Sequence, residues 1–270
     1  MVFAMPMPDE DSWADYNSSY FDNAHGGAGT SRVAKAFHSA IGQIRAAHVV
    51  DYLRKKQVTV SSILEVGPGR ADFARHWLAR DPSVAYHAVE SDVSCHSGLT
   101  ALGIHLVDGS EGIPAGTSVD LVVLSHVLEH VTDPVGFLGA MTTRLRLGGV
   151  LFIEVPCRDW EHKVQDEPHL LFFDKVPIRR LLDRIGFEQI QLSYHGQEIS
   201  RLRRRGIAHK AWDAIRFRLL SRGLVAPFDR AEPALDLLAT PLERAAVRPF
   251  EAHHEQEQPA WWLRAMAVKQ

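Results

Sequence analysis

The stretch Ile63-Leu64-Glu65-Val66-Gly67-Pro68-Gly69-Arg70-Ala71 decides the fold of this chain. A short apolar run leads into two closely spaced glycines. The pattern after them is helical, with apolar residues recurring on one helix face at Phe73, Ala74, Trp77 and Leu78. The glycines therefore lie in a turn from a strand to a helix. Glycine lets the backbone turn sharply and lets a ligand approach closely, and the free N–H groups of the next helix point toward that ligand. Such a turn in an open α/β sheet binds nucleotide-like molecules.

The details of this turn argue against a dinucleotide ligand. The dinucleotide fingerprint requires glycine or alanine at its sixth position, and that position is Asp72 here. Glu65, two residues before the first glycine, would repel a pyrophosphate at close range and suits a cationic ligand better. A nicotinamide oxidoreductase is therefore disfavoured. An ordinary strand–helix turn without a ligand remains the alternative interpretation.

Strands and helices alternate along the rest of the chain. Apolar runs predict further strands at residues 84–90, 104–107, 120–124, 150–155, 187–194 and 261–268. Asp133, followed by Pro134, and Asp174 have the N-cap pattern of two helices, and Gly186 ends the second of them. The apolar face of the first of these helices is predicted to extend to Leu145. This alternation predicts an α/β fold with a mostly parallel sheet.

These ordered motifs resemble class I S-adenosylmethionine-dependent methyltransferases. The turn at residues 63–71 is similar to the first motif of that family, an acidic residue followed by G-x-G-x-G, with Ala71 at the third glycine. The later segments SHVLEHV, DP, LGG and IEVP look like the branch with ubiquinone-pathway O-methyltransferases and bacterial small-molecule methyltransferases. The resemblance covers about two thirds of the chain. It implies a Rossmann-like, seven-stranded, mostly parallel sheet with helices on both faces, an antiparallel last strand and a helical insertion before it.

The resemblance also implies a cofactor, S-adenosyl-L-methionine, with S-adenosyl-L-homocysteine as the product. Glu90 ends the second strand about 20 residues beyond the glycines, where a carboxylate typically binds both ribose hydroxyls. Asp108 resembles the family's contact on the adenine side. The full set of residues expected to bind the cofactor is Glu65, Gly67, Pro68, Gly69, Glu90, Ser91, Asp108, Gly109 and Ser125.

Three histidines are candidates for the acceptor side. Methyl transfer from a sulfonium requires alignment and, for a hydroxyl acceptor, removal of a proton. His126 and His130 follow the fourth strand and His169 follows the fifth, so all three are expected at the carboxyl edge of the sheet. His126 and His169 are the preferred bases, and His130 is expected to be hydrogen-bonded within its turn. The predicted reaction is O-methylation of a secondary metabolite, a sugar or a carrier-linked intermediate.

Two other functions remain as alternatives. Residues 126–130 match H-x-x-E-H, the inverted zinc-peptidase motif, and a helix could bring His126 and His130 to one zinc ion. Asp133-Pro134 follows too soon for a rigid helix, so a zinc hydrolase is disfavoured and no metal site is predicted. The second alternative is a partner protein that binds the cofactor without catalysis.

Composition restricts the class of protein. The 270 residues are 46% hydrophobic and 23% charged, which is typical of one large globular unit. The net charge of −3 predicts no overall attraction to nucleic acid, and no run approaches the ~18 apolar residues of a membrane span. The small-molecule acceptor is what the resemblance implies. Cys95 and Cys157 are interpreted as reduced thiols, which favours a cytoplasmic protein. The sequence permits a homodimer without fixing the oligomeric state.

The chain divides into three predicted parts. Residues 1–57 form an N-terminal arm, whose tyrosines favour folding over another surface, and a helix that roofs the cofactor site. Residues 58–198 with 260–270 form the methyltransferase core. Residues 199–259 form an insertion whose first half is rich in arginine, with an apolar helical stripe at Ala208, Trp212, Ile215 and Leu219. The insertion is interpreted as a structural cap, as a lid that recognises an anionic acceptor, or as a surface that contacts a membrane.

Overall fold

The computed structural model describes residues 2–20, 32–114, 116–163, 169–204, 206–222 and 248–270. Its strands are β1 (Val2–Phe3), β2 (Ser62–Val66), β3 (Ala85–Val89), β4 (His105–Leu106), β5 (Val119–Ser125), β6 (Leu145–Pro156), β7 (Leu171–Phe172), β8 (Phe187–Glu198) and β9 (Ala260–Lys269). Its helices are α1 (Glu10–Ser18), α2 (Arg32–Lys56), α3 (Asp72–Arg80), α4 (Val93–Thr100), α5 (Pro134–Met141), α6 (Lys175–Arg184), α7 (Ile199–Leu202) and α8 (Ile207–Ser221). None of the described helices is both long and apolar enough to cross a bilayer.

The central sheet has the order β4-β3-β2-β5-β6-β9-β8 in the described residues. The strands from β4 to β6 run parallel, and β9 is antiparallel to both of its neighbours, β6 and β8. The order reverses between β2 and β5, and ligands of open α/β sheets bind at this kind of reversal, outside the carboxyl ends of the strands. The predicted seven-stranded α/β fold, with its antiparallel last strand, is confirmed.

The sheet is covered on both faces, which explains its continuous apolar strands. Leu121 and Val123 of β5 belong to one hydrophobic cluster, and Val122 and Leu124 belong to the other. All four are fully buried. Successive side chains of a strand point to opposite faces, so a strand packed on both faces has consecutive apolar residues, as at positions 121–124.

The predicted helix caps are present. The Asp133 carboxylate accepts hydrogen bonds from the N–H groups of Val135 and Gly136, and Asp174 caps α6 through the N–H of Lys175. Leu145 is a correction, because it begins β6 instead of lying on the helix before it. That helix ends at Met141, so the turn into β6 starts earlier than the apolar pattern indicated.

The helix α2 packs directly against the helix that follows the glycine turn. A Cβ added at Gly42 of α2 would lie 2.3 Å from the carbonyl oxygen of Asp72, the first residue of α3. Any larger side chain at position 42 would push the two helices apart. The contact fixes α2 beside the turn, and its role as a roof over the cofactor site stays a prediction.

The described parts of the 199–259 segment differ in how they pack. Trp212 and Ile215 of α8 are 44% and 52% exposed, so this part of the apolar stripe does not pack into the core as a structural cap would. By contrast, Phe250 is buried against Trp262, and Gln256 forms an isolated bridge with Tyr194 of β8. The end of the segment is therefore part of the packed core.

Candidate active site

The glycine turn has the conformation that its sequence demands. Gly67, Gly69 and Ala71 all have left-handed backbone angles, with φ of +66°, +54° and +64°. A Cβ added at Gly67 would lie 2.5 Å from Cγ2 of Val127, in the loop after β5. Position 67 therefore excludes a side chain on both conformational and steric grounds. Ala71, which stands at the third glycine of the resembling motif, is the N-cap of α3.

Glu90 connects the end of β3 to this turn. One carboxylate oxygen accepts a hydrogen bond of 2.7 Å from the Gly69 N–H, and the other accepts one of 2.8 Å from the Asp92 N–H. Burial raises the pKa of Glu90 above its ordinary value. A carboxylate offers about four lone-pair positions, so Glu90 keeps capacity to accept hydrogen bonds from a ligand.

Glu65 lies inside the sheet beneath the turn. Its side chain is only 3% exposed, and its carboxylate accepts a hydrogen bond of 2.6 Å from the Tyr86 hydroxyl of β3. Burial raises its pKa to about 7. Glu65 is thus a buried acid whose charge depends on conditions near neutral pH, and its contact with the methionine end of a cofactor stays a prediction.

The other predicted cofactor residues lie at the carboxyl ends of their strands. Pro68 is buried in the turn, while Ser91 after β3 and Asp108 after β4 are exposed. Gly109 precedes a short 3₁₀ turn. Ser125 ends β5, and its hydroxyl is buried without a hydrogen-bond partner in the described residues. A polar ligand at this edge would supply the partner that the Ser125 hydroxyl lacks.

His126 lies between two buried carboxylates. Its Nδ1 is 3.2 Å from Glu129 and its Nε2 is 3.3 Å from Glu154, while its backbone φ is +57°. Burial alone would lower the pKa of His126, but the contacts with Glu129 and Glu154 outweigh burial and raise it. The charged form is therefore favoured, and both ring nitrogens then act as donors.

Glu154 is the centre of a buried charge cluster that the sequence analysis missed. It accepts hydrogen bonds of 2.6 Å from Nε of Arg45 in α2 and from Nε of Arg264 in β9. Both Glu154 and Arg264 are completely buried. Burial would raise the pKa of Glu154, but the two arginines hold it well below its ordinary value. The signal in the sequence was one charge inside each of two apolar runs, Glu154 in residues 150–155 and Arg264 in residues 261–268.

His130 and His169 lie together on the other side of Glu129. Their ring centroids are 5.0 Å apart, and Nδ1 of His169 is 2.5 Å from a carboxylate oxygen of the buried Asp159. The backbone N–H of His130 donates to the Val127 carbonyl, and the structural role predicted for the His130 side chain stays a prediction. Ligand atoms of Glu129, His130 and His169 lie within 4.8 Å of one another, close enough to hold a metal ion.

The H-x-x-E-H residues do not form the helix that the zinc alternative required. Only Leu128–His130 make a short 3₁₀ turn, and His126 lies before it with a left-handed backbone. The His126 ring consequently contacts Glu154, whereas the His130 ring lies against His169.

The N-terminal arm covers this cluster. Residues of β1 pair with β7, and the indole N–H of Trp13 in α1 donates a hydrogen bond of 2.5 Å to the His130 carbonyl. The ring of Tyr20 lies edge-on to that of His130, with centroids 5.3 Å apart. The sequence predicted that the arm folds over a surface, and the structure identifies that surface as the loop after β5. The glycine-rich part of the arm lies outside the described residues.

Solved structures share this fold at low sequence identity. One is the plantazolicin methyltransferase BpumL in complex with a monoazolic desmethylPZN analog and SAH. The alignment covers 96% of this chain and 96% of that chain, with 12% sequence identity and a TM-score of 0.57. Another is a SAM-dependent methyltransferase from Thermotoga maritima, described as a possible histamine N-methyltransferase. The alignment covers 85% of this chain and 91% of that chain, with 13% sequence identity and a TM-score of 0.51. No curated protein is a significant match.

The family is shown by a direct match of the sequence. Residues 40–192 match the family model described as a methyltransferase domain. This segment is more than half of the chain and contains β2 to β6, the glycine turn, Glu90 and the histidine cluster. The chain therefore belongs to the methyltransferase domain family, with the fold of the class I S-adenosylmethionine-dependent enzymes.

Proposed function

We propose that this methyltransferase transfers the methyl group of S-adenosyl-L-methionine to a hydroxyl group of a small molecule. The observation that carries the proposal is the convergence, at the carboxyl edge of one sheet, of the glycine turn with Glu90 and of the histidines after β5 and β6. The first group suits the nucleoside of the cofactor, and the second suits an acceptor that must lose a proton.

The cofactor residues divide by chemistry. Glu90 would accept hydrogen bonds from the ribose hydroxyls, since two of its lone pairs are used by backbone N–H groups and the rest remain. The glycines at positions 67 and 69 would allow the methionine part to approach the backbone. Ser91, Asp108 and Gly109 would bind toward the adenine, and Ser125 toward the methyl group.

Among the histidines, His169 is best suited to act as the base. Its Nδ1 contacts Asp159, so a proton on Nδ1 would leave Nε2 as an acceptor. An acidic partner that fixes the tautomer of a histidine base is a recurring catalytic arrangement. His126 contacts carboxylates with both nitrogens, which favours its protonated form and makes it less suited than His169 to accept a proton.

The acceptor class is supported by the surroundings of the site. The plantazolicin methyltransferase shares the fold and was solved with an analog of a small natural product. We extend this to a secondary metabolite, a sugar or a carrier-linked intermediate as the acceptor here. We also propose residues 1–57, 58–198 with 260–270, and 199–259 as the parts of the chain. The lid is the portion of 199–259 that precedes its core-packed end. Exposed aromatic and basic side chains of α8 support a recognition role for it.

Turnover of labelled S-adenosyl-L-methionine against a library of hydroxylated acceptors tests the proposal. His169→Ala should lower the rate by about 10²–10⁴ without a matching loss of S-adenosylhomocysteine affinity. His105→Ala is the matched control, because His105 is an exposed histidine on β4. A normal rate for His169→Ala would place the base elsewhere or show that proximity alone is sufficient. Methylation of amines only would refute O-methylation. A homodimer and a cytoplasmic location stay predictions.

A further inference from the structure

We propose that a cavity between α2 and β8 is a second small-molecule site, for a neutral and mostly apolar ligand that carries a hydroxyl or amide group. The cavity has a volume of about 620 Å³, within the range of about 300–1,000 Å³ typical of ligand pockets. None of its lining residues comes from the glycine turn or from β2, β3 or β5. The site is therefore separate from the proposed cofactor site.

One wall of the cavity is a face of α2. Gln43, Ala47 and His48 line this wall at helical spacing, followed one turn later by Tyr52. Gln191 of β8 lines the cavity from the edge of the sheet. These two walls are regular secondary structure, and the turn at residues 251–253 lines the remaining side.

Two polar atoms in this wall lack partners. Tyr52 is 6% exposed, and its hydroxyl has no hydrogen-bond partner in the described residues. Burial raises the pKa of Tyr52, so the hydroxyl stays neutral and needs a partner. The side-chain oxygen of Gln43 is buried and equally unpartnered among those residues. An unmet buried hydrogen bond destabilises a protein, and a bound ligand would supply the missing bonds.

The ionisable side chains around the cavity already contact polar partners, which favours a neutral ligand. Asp51 pairs with Lys55 at 2.7 Å, and Glu251 pairs with His253 at 3.0 Å. His48 is uncharged, because burial and the neighbouring Arg264 lower its pKa to about 3. An ionic ligand would have to break one of these pairs, whereas a neutral ligand would leave them intact.

The experiment measures binding of 4-hydroxybenzamide and related neutral fragments by ligand-observed NMR, with S-adenosylhomocysteine saturating the cofactor site. Ala47→Trp should fill the cavity and weaken binding at least tenfold. Ala79→Trp, at an exposed alanine of α3, is the matched control and should leave binding unchanged. Circular dichroism checks that both variants are folded.

Tyr52→Phe supplies an independent readout. Removing the unpartnered hydroxyl should raise the melting temperature of the unliganded protein or leave it unchanged, while the fragments bind about fivefold to tenfold more weakly. The inference is overturned if no fragment binds the wild type, or if Ala47→Trp binds the fragments as well as the control does. A lower melting temperature for Tyr52→Phe would also contradict it. None of these results depends on methyl transfer, so failure here leaves the proposed function unaffected.

Discussion

Glu65→Gln should stabilise the protein in a pH-dependent way. Glutamine keeps the size of the side chain and an oxygen that can accept the Tyr86 hydrogen bond, but it cannot ionise. In the fold the pKa of Glu65 is raised from 4.5 to about 7. The stability contributed by the neutral acid is therefore complete below pH 4.5 and is lost as the pH rises through 7.

The size of the effect follows from this pKa difference. At about 1.4 kcal/mol for each pKa unit, the rise from 4.5 to about 7 corresponds to roughly 3 kcal/mol. Above pH 8, wild-type Glu65 is ionised inside the sheet, whereas the variant avoids that cost. The free energy of unfolding of Glu65→Gln, relative to wild type, should rise by about 2–3 kcal/mol between pH 4.5 and pH 8.

Urea unfolding at a series of pH values measures this difference. Glu188→Gln is the matched control, because Glu188 is an exposed carboxylate on β8. A difference between Glu65→Gln and wild type that is the same at both ends of the pH range would refute the reasoning. It would mean that Glu65 is ionised throughout, and that a water or a ligand compensates its burial.

Three further predictions concern the cofactor and the insertion. Glu90→Ala should weaken S-adenosylhomocysteine binding by about 1.5–3 kcal/mol in calorimetry, because it removes charge-assisted hydrogen bonds, and an unchanged affinity would exclude Glu90 as the ribose ligand. Gly67→Ala should abolish that binding through steric conflict, whereas Gly98→Ala should not, because an added Cβ there meets no atom within 4 Å. Replacing residues 203–247 with a short Gly-Ser turn keeps the buried Phe250. The shortened protein should bind the cofactor normally and lose activity on the natural acceptor. Normal activity would refute the recognition role of the insertion.

Local pattern was sufficient to predict the sheet and the turn. The β5 strand is apolar at four consecutive buried positions, residues 121–124, and the turn at residues 67–71 carries glycine at two of its three left-handed positions. Both are short-range properties of the chain. Helix caps such as Asp133 are equally local, since the carboxylate binds N–H groups two and three residues away.

The charge cluster and the docking of the arm could not be predicted in this way. Glu154 contacts arginines that are 109 and 110 positions away, and Trp13 contacts His130 across 117 positions. No periodicity or spacing in a single sequence encodes such pairs. They depend on the assembled sheet, which brings β6 and β9 together, and on the path of the arm over it.

The long helix α2 contacts both proposed sites and the charge cluster between them, so a movement of this helix affects all three. Its Gly42 lies against the helix of the cofactor turn, its Arg45 holds Glu154, and its Tyr52 lines the second cavity. At 1.5 Å per residue a helix of 25 residues is about 37 Å long, so a tilt of only about 3° about its centre moves each end by about 1 Å. A substitution that tilts this helix would therefore act at all three places. Engineering of either proposed site will have to preserve the position of α2.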